Sequence, residues 1–178
     1  RPCVVLGNVV AAYNAQVLLR KYPEVLVCIG NGERAMAGII EYVRDGKRLT
    51  NIPDIAYVDY DMQIKFTPKG QPIALMRPDR FMIDDVKASN GRAYLSTTRG
   101  CPNNCFFCSR RNFFGHGKIE LPVDEVIRDI KFLNDKGFRI LLVTDEDFLV
   151  GDLQRAIKLA ELILEMKHTG QLDRDLKF

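Results

Sequence analysis

No apolar run in this 178-residue chain approaches the roughly 20 residues that cross a bilayer. Its first residues lack the basic, apolar and small-residue succession of a secretory signal. A cytoplasmic protein with no membrane partner is the expectation. Charge of one sign is missing too, since 26 basic and 23 acidic residues, spread along the whole length, leave only +3. Without a basic arm or stripe, nothing indicates nucleic acid. There is no internal repeat beyond a strand-helix alternation, and no low-complexity stretch. A disulfide framework is also absent, because the five cysteines are an odd number and three of them crowd into residues 101–108. Clustered thiols in a reducing compartment point to metal. The chain opens Arg1-Pro2-Cys3-Val4-Val5-Leu6 without an initiator methionine and stops just after a helical segment, so an excerpt of a longer protein is expected.

What is present reads as α/β. Hydrophobic residues make up 47% and charged residues 28%, enough to bury a sizeable core. Over residues 1–46 short β-branched runs (Val4–Leu6, Val25–Ile29) alternate with helical periodicity (Val17, Leu18, Tyr22; then Met36, Ile39, Ile40, Val43). Gly46 suits a left-handed C-terminal cap, and Gly30-Asn31-Gly32 suits a sharp turn from strand into helix. Residues 47–92 predict a hairpin, Ile55–Val58 and Gln63–Phe66 around Asp59-Tyr60-Asp61, and then an irregular linker interrupted by Pro68, Pro72 and Pro78. From Ala93 the alternation resumes with a strand over Ala93–Thr97, the cysteine loop, a helix from Val123, a strand over Arg139–Thr144 and a helix from Leu153 behind Asp152 as N-cap. A further strand is expected to begin at Leu176. Cys3 and Cys28 lie in apolar strand-like runs, where a free cysteine acts as a small buried hydrophobe.

Three thiolates at spacings of four and three residues, Cys101, Cys105 and Cys108, can converge on one cuboidal cluster if the backbone curls tightly, and Gly100-Cys101-Pro102-Asn103-Asn104-Cys105 is rich in turn formers. Three ligands leave one of four irons open for a substrate or cofactor. The competing reading is a zinc module, in which Cys101, Cys105, Cys108 and His116 make a tetrahedral set. Further along, Ile140–Val143 runs into Asp145, Glu146 and Asp147, where strands of parallel barrels deliver side chains to the active face. The alternative for that trio is a solvated turn before the next helix.

The stretch from Tyr94 to Cys108, containing Cys-x3-Cys-x-aromatic-Cys with Phe107 as the aromatic, closely resembles the first strand and cluster loop of the radical S-adenosylmethionine (SAM) superfamily. The resemblance implies a 4Fe-4S cluster on Cys101, Cys105 and Cys108, SAM chelated at the open iron, Phe107 near its adenine, and Asp145, Glu146 and Asp147 at positions that touch the cofactor. It further implies reductive cleavage of SAM to a 5'-deoxyadenosyl radical, and an electron donor such as flavodoxin or ferredoxin. Residues 1–46, with Gly7 after one strand and Gly30-Asn31-Gly32-Glu33 after another, resemble the C-terminal part of the Rossmann-like cobalamin-binding domain that precedes many of these enzymes. This likeness implies that Gly7, Asn8, Gly30, Gly32 and Glu33 lie beside a corrin; the alternative is that the glycines only cap turns. Asn8 stands where a second glycine is common, and the Asp-x-His-x2-Gly motif of some cobalamin domains is absent from the chain. The expected organisation is therefore a partial Rossmann-like segment (1–46), a hairpin and linker (47–92), and the first βα units of an incomplete (β/α)6 barrel (93–178). The expected function is radical SAM chemistry, with cobalamin-dependent methyl transfer to an unreactive carbon of a small-molecule or peptide substrate as the specific reaction.

Overall fold

The computed structural model describes residues 3–71, 74, 75, 77–81, 83, 91–109 and 117–178. His116 and Pro72 lie outside the described residues. Two compact units emerge, residues 1–73 with 104–115 and residues 74–103 with 116–178.

In the first unit, β1 (Val5–Leu6), β2 (Leu26–Cys28), β3 (Ile55–Val58) and β4 (Ile64–Phe66) form one sheet in that order. β1 and β2 are parallel, and the hairpin β3–β4 joins antiparallel to β2 with Val27 opposite Ala56. The hairpin thus completes the first sheet. Alternation along β2 and β3 splits the core in two. Leu26, Cys28, Ile55 and Tyr57 pack on Ala35 and Ile39 of α3 (Gly32–Asp45), while Val27 and Ala56 pack on Ala11, Ala15 and Leu19 of α1 (Asn8–Tyr13) and α2 (Ala15–Lys21). The single helix expected around Val17 is two, broken at Asn14, whose side-chain amide donates to the Val10 carbonyl. Such local bonding competes with helix continuation. Asp59 accepts from the Asp61 and Gln63 amides at the hairpin turn. The Gln63 N–H, with Lys65 beside it, holds the Asp59 carboxyl below the usual carboxylate range.

Cys28 is buried as expected, and burial pushes its thiol pKa up. Cys3 is not: it is exposed ahead of β1, one residue before Val4, whose carbonyl accepts from the Leu26 amide at 2.9 Å. Gly46 adopts φ 69° at the end of α3 and accounts for the helix stop there.

In the second unit, β5 (Arg92–Leu95) pairs parallel with β8 (Ile140–Val143), and α4 (Val123–Asp135) lies between them in sequence. Val126, Ile130 and Leu133 of α4 pack with Ala93, Leu95 and Leu141, and Leu159 and Met166 of α5 (Leu153–His168) join the same core. The buried stripe of α5 is narrower than its apolar pattern suggested, since Leu153, Ile157 and Leu164 are exposed. Asp152 caps α5 by accepting from the Arg155 amide at 2.9 Å. Near the C-terminus, Lys177 bridges Ile140 in parallel, as the opening of another strand would.

One element was not expected. The strand from Ala93 does not run on to Thr97 but ends at Leu95, and the chain turns into β6 (Thr98–Gly100), which pairs antiparallel with β7 (Lys118–Glu120). The cysteine loop leaves from the end of β6, and Gly100 pairs with Lys118 at its base.

Candidate cluster and cofactor site

The two stems of the loop are held from beneath. At the break between β5 and β6, the Thr97 and Thr98 amides both donate to Asp145 Oδ1, at 2.7 and 3.0 Å. The Thr97 hydroxyl donates to Asp145 Oδ2 at 2.5 Å. Glu146 Oε2 accepts from the Gly100 amide at 2.8 Å, immediately before Cys101, and Asp147 Oδ2 accepts from the Asn103 side chain at 3.4 Å. The acidic trio therefore climbs the ascending stem in register. Where the parallel pairing of β5 and β8 ends, carboxylates take over the buried backbone donors.

These contacts separate the roles of the trio. Both Asp145 oxygens face inward to Thr97 and Thr98, and Asp147 Oδ1 accepts from the Leu149 and Val150 amides, closing the turn after β8. Glu146 is the exposed member. The sequence places all three at the active-face end of a strand; it carries no signal for which of them the stem would occupy.

Gly100 sits at φ 106°, and a Cβ there would overlap the Gly117 carbonyl oxygen. Only glycine suits this position. Gly100→Ala is expected to cost more than about 1–3 kcal/mol and to release the β6–β7 pairing. Urea denaturation together with amide exchange at Arg99 and Ile119 measures it, and wild-type protection at both amides would contradict it.

The three cysteines are free thiols, each partly exposed. The Cys108 amide donates to the Cys105 carbonyl at 3.1 Å, a tight turn between the second and third sulfurs. Phe106 and Phe107 stack edge to face at 5.3 Å and are 92% and 77% exposed, so the ring of Phe107 is available to a ligand. Among the described residues, no three His, Cys, Asp or Glu side chains stand close enough to hold one ion. In a four-iron cluster each thiolate meets a different iron, and the sulfurs stand further apart than donors around one zinc at about 2.3 Å. The donor set of three free thiols on one turn-rich loop suits such a cluster.

In the first unit, Gly7 and Asn8 follow β1 while Gly32 and Glu33 open α3 after β2, so all four lie at the carboxyl ends of parallel strands, where open α/β sheets take ligands. Asn8 adopts φ 75°, a left-handed conformation that glycine favours and asparagine tolerates. Among the described residues, and apart from the chain neighbours, no atom lies within 4 Å of a Cβ built at Gly7 or Gly32, whereas one at Gly30 would strike the buried Asp54 carboxylate. Gly30 is thus a packing glycine and the other two leave open space. Gly30→Ala is expected to destabilise by about 1–3 kcal/mol through overpacking, measured by urea denaturation; an unchanged midpoint would show that Asp54 yields.

A strand-end acidic trio and a pinned three-cysteine loop stand on a parallel βαβ unit of an α/β fold. Residues 95–174 match the family model described as the radical SAM superfamily. It is 24% identical, over 96% of its length, to the 4'-phospho-dehydrooxetanocin synthase of Priestia megaterium, of which it covers 25%. The fold is similar to that of the cobalamin-dependent S-adenosylmethionine radical enzyme OxsB with aqua-cobalamin and S-adenosylmethionine bound, with a TM-score of 0.75 and 21% identity over 90% of this chain and 24% of that one. It is also similar to the radical S-adenosylmethionine methyltransferase TsrM from Kitasatospora setae, with a TM-score of 0.72 and 16% identity over 94% of this chain and 34% of that one. The chain therefore spans about a quarter to a third of the length of these proteins. Among the described residues, no helix is long and apolar enough to cross a membrane.

Proposed function

We propose that this chain is the cluster-binding and SAM-binding part of a cytoplasmic radical SAM enzyme, and that the intact protein performs cobalamin-dependent methyl transfer to an unreactive carbon. The carrying observation is the cysteine loop, with three free thiols on a loop whose ascending stem is tied amide by amide to the end of β8. Cys101, Cys105 and Cys108 would hold three irons and leave the fourth without a protein ligand. When bound and reduced by a low-potential donor such as flavodoxin or ferredoxin, the cluster would supply the electron that splits SAM into methionine and a 5'-deoxyadenosyl radical able to take hydrogen from a small-molecule or peptide substrate.

The chain's own side chains would hold the cofactor in place. Phe107 offers an exposed ring face to adenine. Glu146, exposed at the top of the stem and accepting from the Gly100 amide, would place its carboxylate charge beside the SAM ammonium or ribose. Asp145 and Asp147 serve the loop. The open ends of β1 and β2, at Gly7, Asn8, Gly32 and Glu33, would lie beside the corrin, with Gly30 giving the turn its closeness to Asp54. Cobalamin-dependent neighbours of the same fold support this part of the reading.

Cofactor titration of the reduced cluster by electron paramagnetic resonance (EPR) tests the assignment of Glu146. Glu146→Gln keeps an acceptor for the Gly100 amide but removes the charge, and a lost charge-assisted contact weakens SAM binding by about tenfold or more. An unchanged midpoint at matched iron content would leave Glu146 as part of the stem alone.

A further inference from the structure

We infer that Asp145 and Arg155 form a clamp on both stems of the cysteine loop, positioning residues that act on Cys101 and its cluster through Thr97; the inference rests on the reading of that loop as the cluster ligand. Thr97 is the shared piece. It is 1% exposed, and it gives its amide and hydroxyl to Asp145. Its carbonyl accepts from the Leu121 amide at 2.9 Å and from Arg155 Nη2 at 3.1 Å. Arg155 comes from α5 and is 8% exposed. The same Nη2 also donates to the Leu121 carbonyl at 2.8 Å, while Nε faces Glu120 Oε2 at 3.7 Å.

The clamp thus grips the chain on its way into the loop, at Thr97 and Thr98, and on its way out, at Glu120 and Leu121. Lys118, beside Glu120 at 3.1 Å, adds a bond to the Val150 carbonyl on the turn after the acidic trio. A guanidinium and a carboxylate held this way fix direction, because each makes forked bonds whose partners are backbone atoms rather than mobile side chains. The core that joins β5 and β8 to α4 and α5 is made of apolar side chains, and neither Asp145 nor Arg155 belongs to it. What the clamp sets is the angle at which β6 leaves the sheet, and Cys101 is the first residue beyond β6.

The test uses the chain's own cysteines as controls. In the cluster-free chain, alkylation followed by mass spectrometry reads Cys101 against exposed Cys3 and buried Cys28. Asp145→Ala is expected to alkylate at Cys101 roughly fivefold faster through easier local opening, with Cys3 unchanged, Cys28 protected, and the Ile130 and Leu133 amides slow to exchange. Asp145→Asn is the rescue, because its carbonyl can serve both amides and its NH2 can meet the Thr97 hydroxyl. In the reconstituted chain at matched iron, Asp145→Ala and Arg155→Met should each shift the midpoint potential and the EPR line shape, Asp145→Asn should not, and the double variant should do no more than the larger single change, since both act through Thr97. Should Asp145→Ala lose the Ile130 and Leu133 protection, Thr97→Val removes only the hydroxyl, which donates to Asp145 and accepts from Arg155 Nη1 at 3.5 Å, and should move both readouts the same way by less. Wild-type alkylation and potential in the folded variants, or additive effects in the double variant, would overturn the clamp. If the wild-type chain takes up no iron, the cluster reading fails by itself and the alkylation arm still decides the clamp.

Discussion

Replacing any one of Cys101, Cys105 or Cys108 by alanine is expected to abolish stable cluster assembly, while Cys3→Ala and Cys28→Ala leave iron content unchanged. Each of the first three is a free thiol on the loop, and no neutral side chain reproduces a thiolate bond to iron. With a single ligand removed, two thiolates remain for four irons, and water and chelators compete for the rest. Of the two other cysteines, Cys28 is buried in the core beside α3 and Cys3 lies before β1. Iron and sulfide analysis after anaerobic reconstitution checks all five variants. Retention of a full cluster by one of the three loop variants, or its loss from Cys3→Ala, would contradict the three-ligand site.

Arg80→Ala carries the largest expected loss of stability. Arg80 forks onto Asp129 of α4 through two bonds of 2.8 Å and gives a third to the Tyr94 carbonyl of β5. The Asp129 side chain is only 2% exposed and that of Arg80 15%, so the variant strands a carboxylate inside the second unit. Removing one partner of a buried pair costs about 3–5 kcal/mol. For a unit of this size that is a drop in Tm on the order of 15 °C or more. Arg80→Lys should recover only part of it, because an ammonium cannot reproduce the paired guanidinium fork. Thermal denaturation followed by circular dichroism measures both variants. A fall of only a few degrees in Arg80→Ala would show that water reaches Asp129 and replaces the arginine.

The arrangement of elements was legible because its signals are local. Val126, Ile130 and Leu133 recur at helical spacing and are the residues α4 buries. Asp152, Gly46 and the Asp59 turn each do in the structure what their residue type favours. The β6–β7 ribbon was not legible, since three-residue strands carry no periodicity and their partners are separated by the whole cysteine loop. The helix break at Asn14 and the exposure of Leu153, Ile157 and Leu164 depend on what lies opposite each face, which pattern alone does not state.

The site shows the same division. Cys101, Cys105 and Cys108 stand out by their spacing, whereas Phe107 is singled out only by the resemblance of the loop to a known motif. Arg155 carries no such signal, since one arginine in the first turn of an amphipathic helix has the pattern of any solvated charge, and its role depends on its carbonyl partners, Thr97 and Leu121. The separate fates of Asp145 and Glu146 likewise depend on which backbone amides the turn at Thr97 leaves unpaired.

The most direct test of the central claim is EPR of the anaerobically reconstituted, dithionite-reduced chain, recorded with and without SAM at known iron content. A three-thiolate, four-iron cluster with one open iron predicts a signal of a single reduced cluster whose g values move when SAM is added and which disappears in Cys101→Ala. A signal indifferent to SAM, or a colourless chain carrying one zinc and no iron, would contradict it.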